Sequence, residues 1–124
     1  MNMLGIIASE LNDIDIPYEF MRWSTSVQYP YFIGEYSQVT TLNEDGYEEY
    51  SFMLTGTTTG SWLELEDCRN KIKNHFPSVY GLRKSIDDGV MVIFYENAFP
   101  VPTGDANLKR IQINLNVKIW KGMI

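Results

Sequence analysis

The residue types best suited to chemistry lie between positions 56 and 75. Residues 56–61 read G-T-T-T-G-S between a predicted strand and a predicted helix, which is where phosphate-binding loops also lie. A P-loop needs a longer spacing between its glycines and a following Lys-Ser/Thr pair, and this segment has neither. Glu64, Glu66 and Asp67 come next and would repel a phosphate. We interpret the segment as a connector, with a weak anion site as the alternative.

The chain has one histidine, His75, and one cysteine, Cys68. A Ser-His-Asp or Cys-His site would have to use them, and a metal site built from several His or Cys ligands is impossible. His75 falls near the predicted end of a helix, which is typical of a solvated or capping histidine. Cys68 falls on the apolar stripe of that helix, which indicates a core thiol. We therefore predict no enzyme activity, no cofactor and no metal.

Acidic side chains cluster at two predicted hairpin turns. Glu44 and Asp45 precede Gly46 in the first, and Asp87 and Asp88 precede a glycine in the second. Oxygen clusters of this kind can hold hard cations, but no EF-hand spacing is present. Both clusters are therefore more typical of solvated turns.

The last part of the chain has the strongest pattern. Residues 108–120 alternate apolar and polar side chains, which predicts a strand with one buried face and one wet face. Thirteen residues would reach about 43 Å when extended, whereas a compact domain of this size is about 35 Å across. The strand must bend, break or project, and a projecting strand favours assembly over catalysis. Trp120 falls on the polar phase and is expected to point away from the core; the alternatives are a ring packed on its own sheet or core packing after a bulge.

The remaining elements follow from periodicity and turn signals. Residues 2–12 and 61–76 have helical spacing, and the second begins with Ser61 and Glu64 in a capping box. The predicted strands span residues 14–20, 31–42, 47–55, 81–86, 90–95 and the final run, with a loop over 97–106. The order α-β-β-β-α-β-β-β predicts an α+β, two-layer domain, in which two helices pack on one face of a largely antiparallel sheet.

Composition limits the function classes. The 124 residues are enough for one domain, residues 1–124, with a net charge of −6. Because nucleic-acid binding needs a basic footprint, the charge argues against a protein that grips DNA. We expect no membrane span, no signal peptide, and an intracellular location in view of the unpaired cysteine.

Five segments resemble tail proteins of long-tailed bacteriophages and prophages, specifically tail-terminator or tail-completion proteins of the neck region. The segments are I-P-Y-E-F-M-R-W at 16–23, Y-P-Y-F-I-G-E-Y at 29–36, D-G-Y-E-E-Y-S-F-M-L-T-G at 45–56, S-W-L-E-L-E at 61–66, and P-V-P-T-G-D-A-N-L-K-R-I-Q-I-N-L at 100–115. The resemblance covers nearly the whole chain in element order.

The resemblance implies a structural protein of the virion tail and neck, assembled in the host cytoplasm. It implies a homo-hexameric ring that caps the tail tube protein and meets the head–tail connector protein, while DNA passes through without specific binding. Another neck or head-completion adaptor is the alternative, and an anion-binding module or enzyme is a third hypothesis. The family supplies no residue motif, so the candidate contacts come from residue chemistry and strand phase. The candidate assembly residues are Trp23, Tyr29, Tyr31, Lys109, Arg110, Asn114, Lys118 and Trp120, and the candidates for an acidic channel are Glu44, Asp45, Asp87 and Asp88.

Overall fold

The computed structural model describes residues 3–23, 26–40 and 46–122. Within these residues, two helices and six strands follow one another in the predicted order. They are α1 (Met3–Asp13), β1 (Tyr18–Phe20), β2 (Tyr31–Thr40), β3 (Tyr47–Thr58), α2 (Trp62–His75), β4 (Leu82–Ile86), β5 (Gly89–Val101) and β6 (Lys109–Lys121). Neither helix has the length and apolarity needed to cross a bilayer, within the part of the chain that is described.

All six strands form one curled sheet in the order β1-β2-β3-β6-β5-β4. The β1–β2 pair is parallel and every other pair is antiparallel. Apolar residues of both helices, among them Leu11, Leu65 and Ile72, pack into one core with the buried phase of the strands. The predicted α+β class and element order are therefore confirmed, with the helices on one face and the other face of the sheet uncovered.

The last strand, β6, lies inside the sheet and is paired on both sides over nearly its whole length. Its pairing with β3 runs from Lys109 opposite Thr58 to Trp120 opposite Tyr47. On the other side β5 accompanies it from Arg110 to Lys121. The strand therefore does not project from its domain, because two neighbours of similar length run beside it and the curled sheet bends with it.

The alternation predicted for β6 is confirmed. Its apolar phase is buried against the helices, while the polar phase lies half-exposed on the uncovered face. The buried residues are Ile111, Ile113, Leu115, Val117 and Ile119. Each such side chain contributes roughly 1.5–3 kcal/mol through burial before entropy is counted.

A glycine makes room for one of the large core rings. A Cβ atom at Gly56 of β3 would collide with the ring of Phe32, which stands opposite it on β2. Phe32 is fully buried as a result. Gly56 therefore belongs to the core packing of β3, and the strand continues through Thr58 beyond its predicted end at residue 55.

Three local predictions are wrong. β1 covers only Tyr18–Phe20, since residues 14–17 form the turn after α1. β5 continues to Val101 where a loop was expected from residue 97, and its register shifts between Tyr95 and Asn97. The capping box is absent: Ser61 is the N-cap residue of α2 but makes no side-chain cap hydrogen bond.

Burying a charge on the inner phase of β6 should unfold the protein. Leu115→Asp places a carboxylate at a fully buried position, so we expect the free energy of unfolding to fall by roughly 4 kcal/mol or more. The matched substitution Asn114→Asp lies one residue away on the uncovered face and should change it by less than about 1 kcal/mol. Urea unfolding followed by circular dichroism measures both, and equal losses would contradict the two-faced strand.

Tyr18 offers a stabilising substitution. Its hydroxyl is buried without a hydrogen-bond partner among the described residues, and burial raises its pKa to about 12. The ring packs against Phe52 at 6.2 Å between centroids. Tyr18→Phe keeps the ring and removes the unpaired hydroxyl, so the free energy of unfolding should rise by about 1 kcal/mol. Thermal unfolding measures the change, and a clear loss would mean that the hydroxyl is hydrogen-bonded in solution.

Candidate assembly surfaces

The glycine-rich segment at residues 56–61 is closed by its own side chains. Glu64 Oε1 accepts a hydrogen bond of 2.8 Å from the Thr58 hydroxyl. The Thr58 oxygen in turn accepts one of 3.0 Å from the Gly60 amide. The Glu64 carboxylate also lies where a Cβ at Gly60 would be. A carboxylate therefore fills the place that a bound phosphate would need, which argues against the anion-site hypothesis.

The single histidine takes part in a structural network. Glu10 of α1 receives His75 Nε2 at 2.8 Å and Lys84 Nζ at 2.9 Å, so one carboxylate connects α1, the end of α2, and β4. Glu10 itself is buried. Burial raises the pKa of Glu10, but the contacts with Lys84 and His75 outweigh this effect and hold the pKa below its ordinary value. His75 is thus engaged with Glu10 and is neither simply solvated nor a helix cap.

Cys68 is buried in the core, as predicted. Burial raises its pKa, so the thiol stays protonated and is a poor nucleophile. No group of three or more His, Cys, Asp or Glu residues suited to a metal ion occurs in the described part of the chain.

The Glu10 network should make the free energy of unfolding depend on pH in the acidic range. Because the folded pKa of Glu10 is lowered, its contribution is present above the ordinary glutamate pKa and is lost as pH falls through the lowered value. Glu10→Gln should lower the free energy of unfolding by about 1–3 kcal/mol at neutral pH. The difference in the free energy of unfolding between the variant and the unmodified protein should become smaller at acidic pH. Urea unfolding over a pH series measures it, and a gap independent of pH would contradict this role.

Three of the predicted assembly residues form an aromatic cluster before and at the start of β2. The ring centroids of Trp23 and Tyr31 are 5.2 Å apart, and those of Tyr29 and Tyr31 are 5.7 Å apart. Tyr29 is exposed, whereas Trp23 and Tyr31 are partly buried. Trp23, Tyr29 and Tyr31 therefore form one aromatic surface beside β2, although they are not adjacent in sequence.

The other assembly candidates lie on β6, on the uncovered face or at the start of the strand. Arg110 Nε contacts the Thr57 hydroxyl at 3.4 Å, and Asn114 Nδ2 donates to Asn97 at 2.8 Å. Lys118 Nζ stands 5.1 Å from the centroid of the Tyr47 ring. These groups are used within the subunit, which makes the centre of the uncovered face polar and largely self-satisfied.

Trp120 does not extend freely from the uncovered face. Its ring packs on Tyr47 with 5.1 Å between centroids, and the residue is only partly exposed. The sequence expectation of an outward-pointing ring is met in phase, but the ring lies on its own sheet, which was the alternative.

Two of the four acidic candidates lie within the described residues, and two lie outside them. Asp87 and Asp88 form the β4–β5 turn and line a cavity of about 470 Å³ beside the ion pair of Lys121 and Glu48. Glu44 and Asp45 lie outside the described residues.

Sequence reasoning singled out Tyr29 but did not reveal the two exposed apolar surfaces that lie at opposite edges of the sheet. They are the β2 edge, comprising Phe20, Met21, Tyr29, Tyr36 and Val39, and the β5 edge, comprising Phe99 on β5 together with Val79 and Tyr80 in the turn between α2 and β4. At the β2 edge the rings of Phe20 and Tyr36 are stacked 6.1 Å apart. The sequence holds these residues, but only the strand order reveals that they lie at edges.

Comparisons with known proteins give a structural match. No family model matches the chain, and no curated protein matches it by sequence. Among solved structures, a chain of a structure described as the virion of a native gene transfer agent particle has a similar fold. The TM-score is 0.66 with 10% sequence identity, over 92% of this chain and 84% of that chain. At that identity the likeness shows a shared fold.

Proposed function

We propose that this protein is a structural, non-enzymatic subunit of a phage-like virion, and that it forms a tail-terminator ring. In this proposal a hexameric ring of copies caps the tail tube and joins it to the head–tail connector. The fold shared with a virion chain supports the structural class. The sequence resemblance to tail-terminator proteins supports the more specific role.

The observation that carries the proposal is the pair of unlike apolar edges. A ring built from one kind of subunit needs a head-to-tail contact, in which two different surfaces of the same chain meet. The β2 edge and the β5 edge are different in residue content and lie on opposite sides of a single sheet. A two-fold dimer would need only one self-complementary patch.

The two ends of β6 give the ring two unlike faces. Lys109 and Arg110 lie at one end of the central strands, and Asp87 and Asp88 lie at the other, beside the end of β6. Ring copies related by rotation would present the basic end on one face and the acidic end on the opposite face. Such a ring suits two different partners, the tube protein on one side and the connector protein on the other.

The charge distribution fits passage of DNA without binding. The net charge is −6. On the uncovered face the cations of Lys118 and Arg110 are engaged with an aromatic ring and a hydroxyl. An acidic subunit of this kind gives phosphates little to hold.

The ring proposal predicts that charges at either edge block assembly. Tyr29→Glu and Phe99→Glu alter exposed side chains at the β2 and β5 edges, so folding should persist while the concentration needed for assembly rises at least about tenfold, which corresponds to 1.4 kcal/mol. Asn70→Glu on the exposed side of α2 is the matched control. Sedimentation across a concentration series, with electron microscopy of tail tubes, measures rings in solution and at tube ends.

A protein that remains monomeric and never decorates tube ends would refute the ring. Rings that bind the head connector but leave tube ends free would instead favour the alternative of a head-completion adaptor. Gene order gives an independent check, because a terminator gene is expected just before the tube gene.

A further inference from the structure

The aromatic cluster beside β2 frames a pocket. The pocket has a volume of about 410 Å³ and is lined by Pro17, Trp23, Ser26, Gln28, Tyr29 and Pro30. The indole N–H of Trp23 already donates to the Ser26 carbonyl at 3.3 Å. The pocket therefore combines the rings of Trp23 and Tyr29 with two prolines and two polar residues, and aromatic faces of this kind can receive a proline ring.

The opposite edge presents exposed prolines. Pro100 and Pro102 are exposed at the end of β5, next to the exposed ring of Phe99. β4 pairs with β5 only as far as Ile93, so this part of β5 has no strand partner on its outer side among the described residues. Because Pro100 pairs with β6 on its inner side and has no N–H, it removes a donor from the outer side. A contact here must use side chains, since a further strand would lack a hydrogen-bond donor.

The loop after the prolines is held rigid by its own hydrogen bonds. The Thr103 hydroxyl contacts the carbonyls of Asp105 and Leu108 at 2.9 and 2.8 Å. The Asp105 carboxylate accepts the Asn107 amide at 2.9 Å. Such a preorganised segment loses little entropy when it binds.

The pocket and the prolines lie at the same level of the sheet. Tyr31 stands opposite Thr57, Thr57 opposite Arg110, and Arg110 opposite Val101. This row begins beside the pocket and ends between Pro100 and Pro102. Copies placed side by side at one level would therefore bring the pocket of one next to the prolines of another.

We propose that neighbouring copies of this chain are joined by docking of Pro100 and Pro102 of one copy into the aromatic pocket of the next. The inference rests on the proposed ring and identifies its contact. In this contact Arg22, next to the pocket residue Trp23, would meet Asp105, which follows the prolines and lies close to Lys109. The occupant is a second copy, because one chain holds both halves on opposite edges and cannot join them within itself.

Cross-linking between engineered cysteines tests the contact. A Ser26→Cys, Ala106→Cys double variant places one thiol at the pocket and one in the proline loop, both at exposed positions. A short bis-maleimide should join copies into covalent ladders ending at the ring. Cys68 is buried and should not react with the bis-maleimide. Ser26→Cys combined with Asn70→Cys, on the exposed side of α2, is the matched control and should give no ladder.

Removing either partner should abolish the ladder. Adding Pro102→Ser or Tyr29→Ser to the double variant should reduce cross-linking at least tenfold, with folding checked by circular dichroism. Val27→Ser changes an exposed apolar residue that does not line the pocket, and it should leave the yield unchanged.

The outcomes separate this contact from the ring itself. Ladders that depend on Pro102 and Tyr29 would support the docking. Rings that form without cross-links, or cross-links that survive both serine variants, would overturn the docking while leaving the ring intact. Absence of rings from the unmodified protein, in solution and on tubes, would overturn both.

Discussion

The structure depends on one strand being hydrogen-bonded on both sides. β6 joins β3 to β5, and no other strand among the described residues connects the two halves of the sheet. Both helices pack on the apolar residues of β6, and its polar residues form the middle of the uncovered face. Because both of its edges are used, β6 cannot pair with another molecule, and contacts between molecules are left to the outer strands and their loops.

Local chemistry made much of this fold predictable. The alternation of β6, the stripe of α2 and the Asp-Gly turn before β5 are encoded within a few residues, and each appears in the structure. The length of β6 predicted that the strand must bend, break or project, and in the structure it bends with the curled sheet. The sequence did not predict that β6 stays within the sheet. The lengths of β3 and β5 explain this only once the three strands are known to be neighbours.

The wrong predictions have physical reasons in particular residues. Pro100 suggested a loop, yet a proline is tolerated where its nitrogen faces an unpaired edge. Glu64 suggested a capping box, but its carboxylate is taken by Thr58 from the preceding strand. Among the proposed contacts, Trp23, Tyr29 and Tyr31 do come together. The apolar edges were missed because the place of a residue such as Val39 or Phe99 at a sheet edge depends on strand order, which a single sequence does not express.

The central place of β6 also sets an order for synthesis. It is the last of the six strands to leave the ribosome, and it must insert between partners that are distant in sequence, as in the pairing of Tyr47 with Trp120. Until then β1–β3 and β4–β5 are separate units, and the β2 edge and the β5 edge belong to different ones. Pairing over such separations is slow, because the entropy of closing a long loop is lost before the contacts that compensate for it can form. A nascent or incomplete chain thus lacks two joinable sides, and in the proposed ring only a finished subunit could take its place.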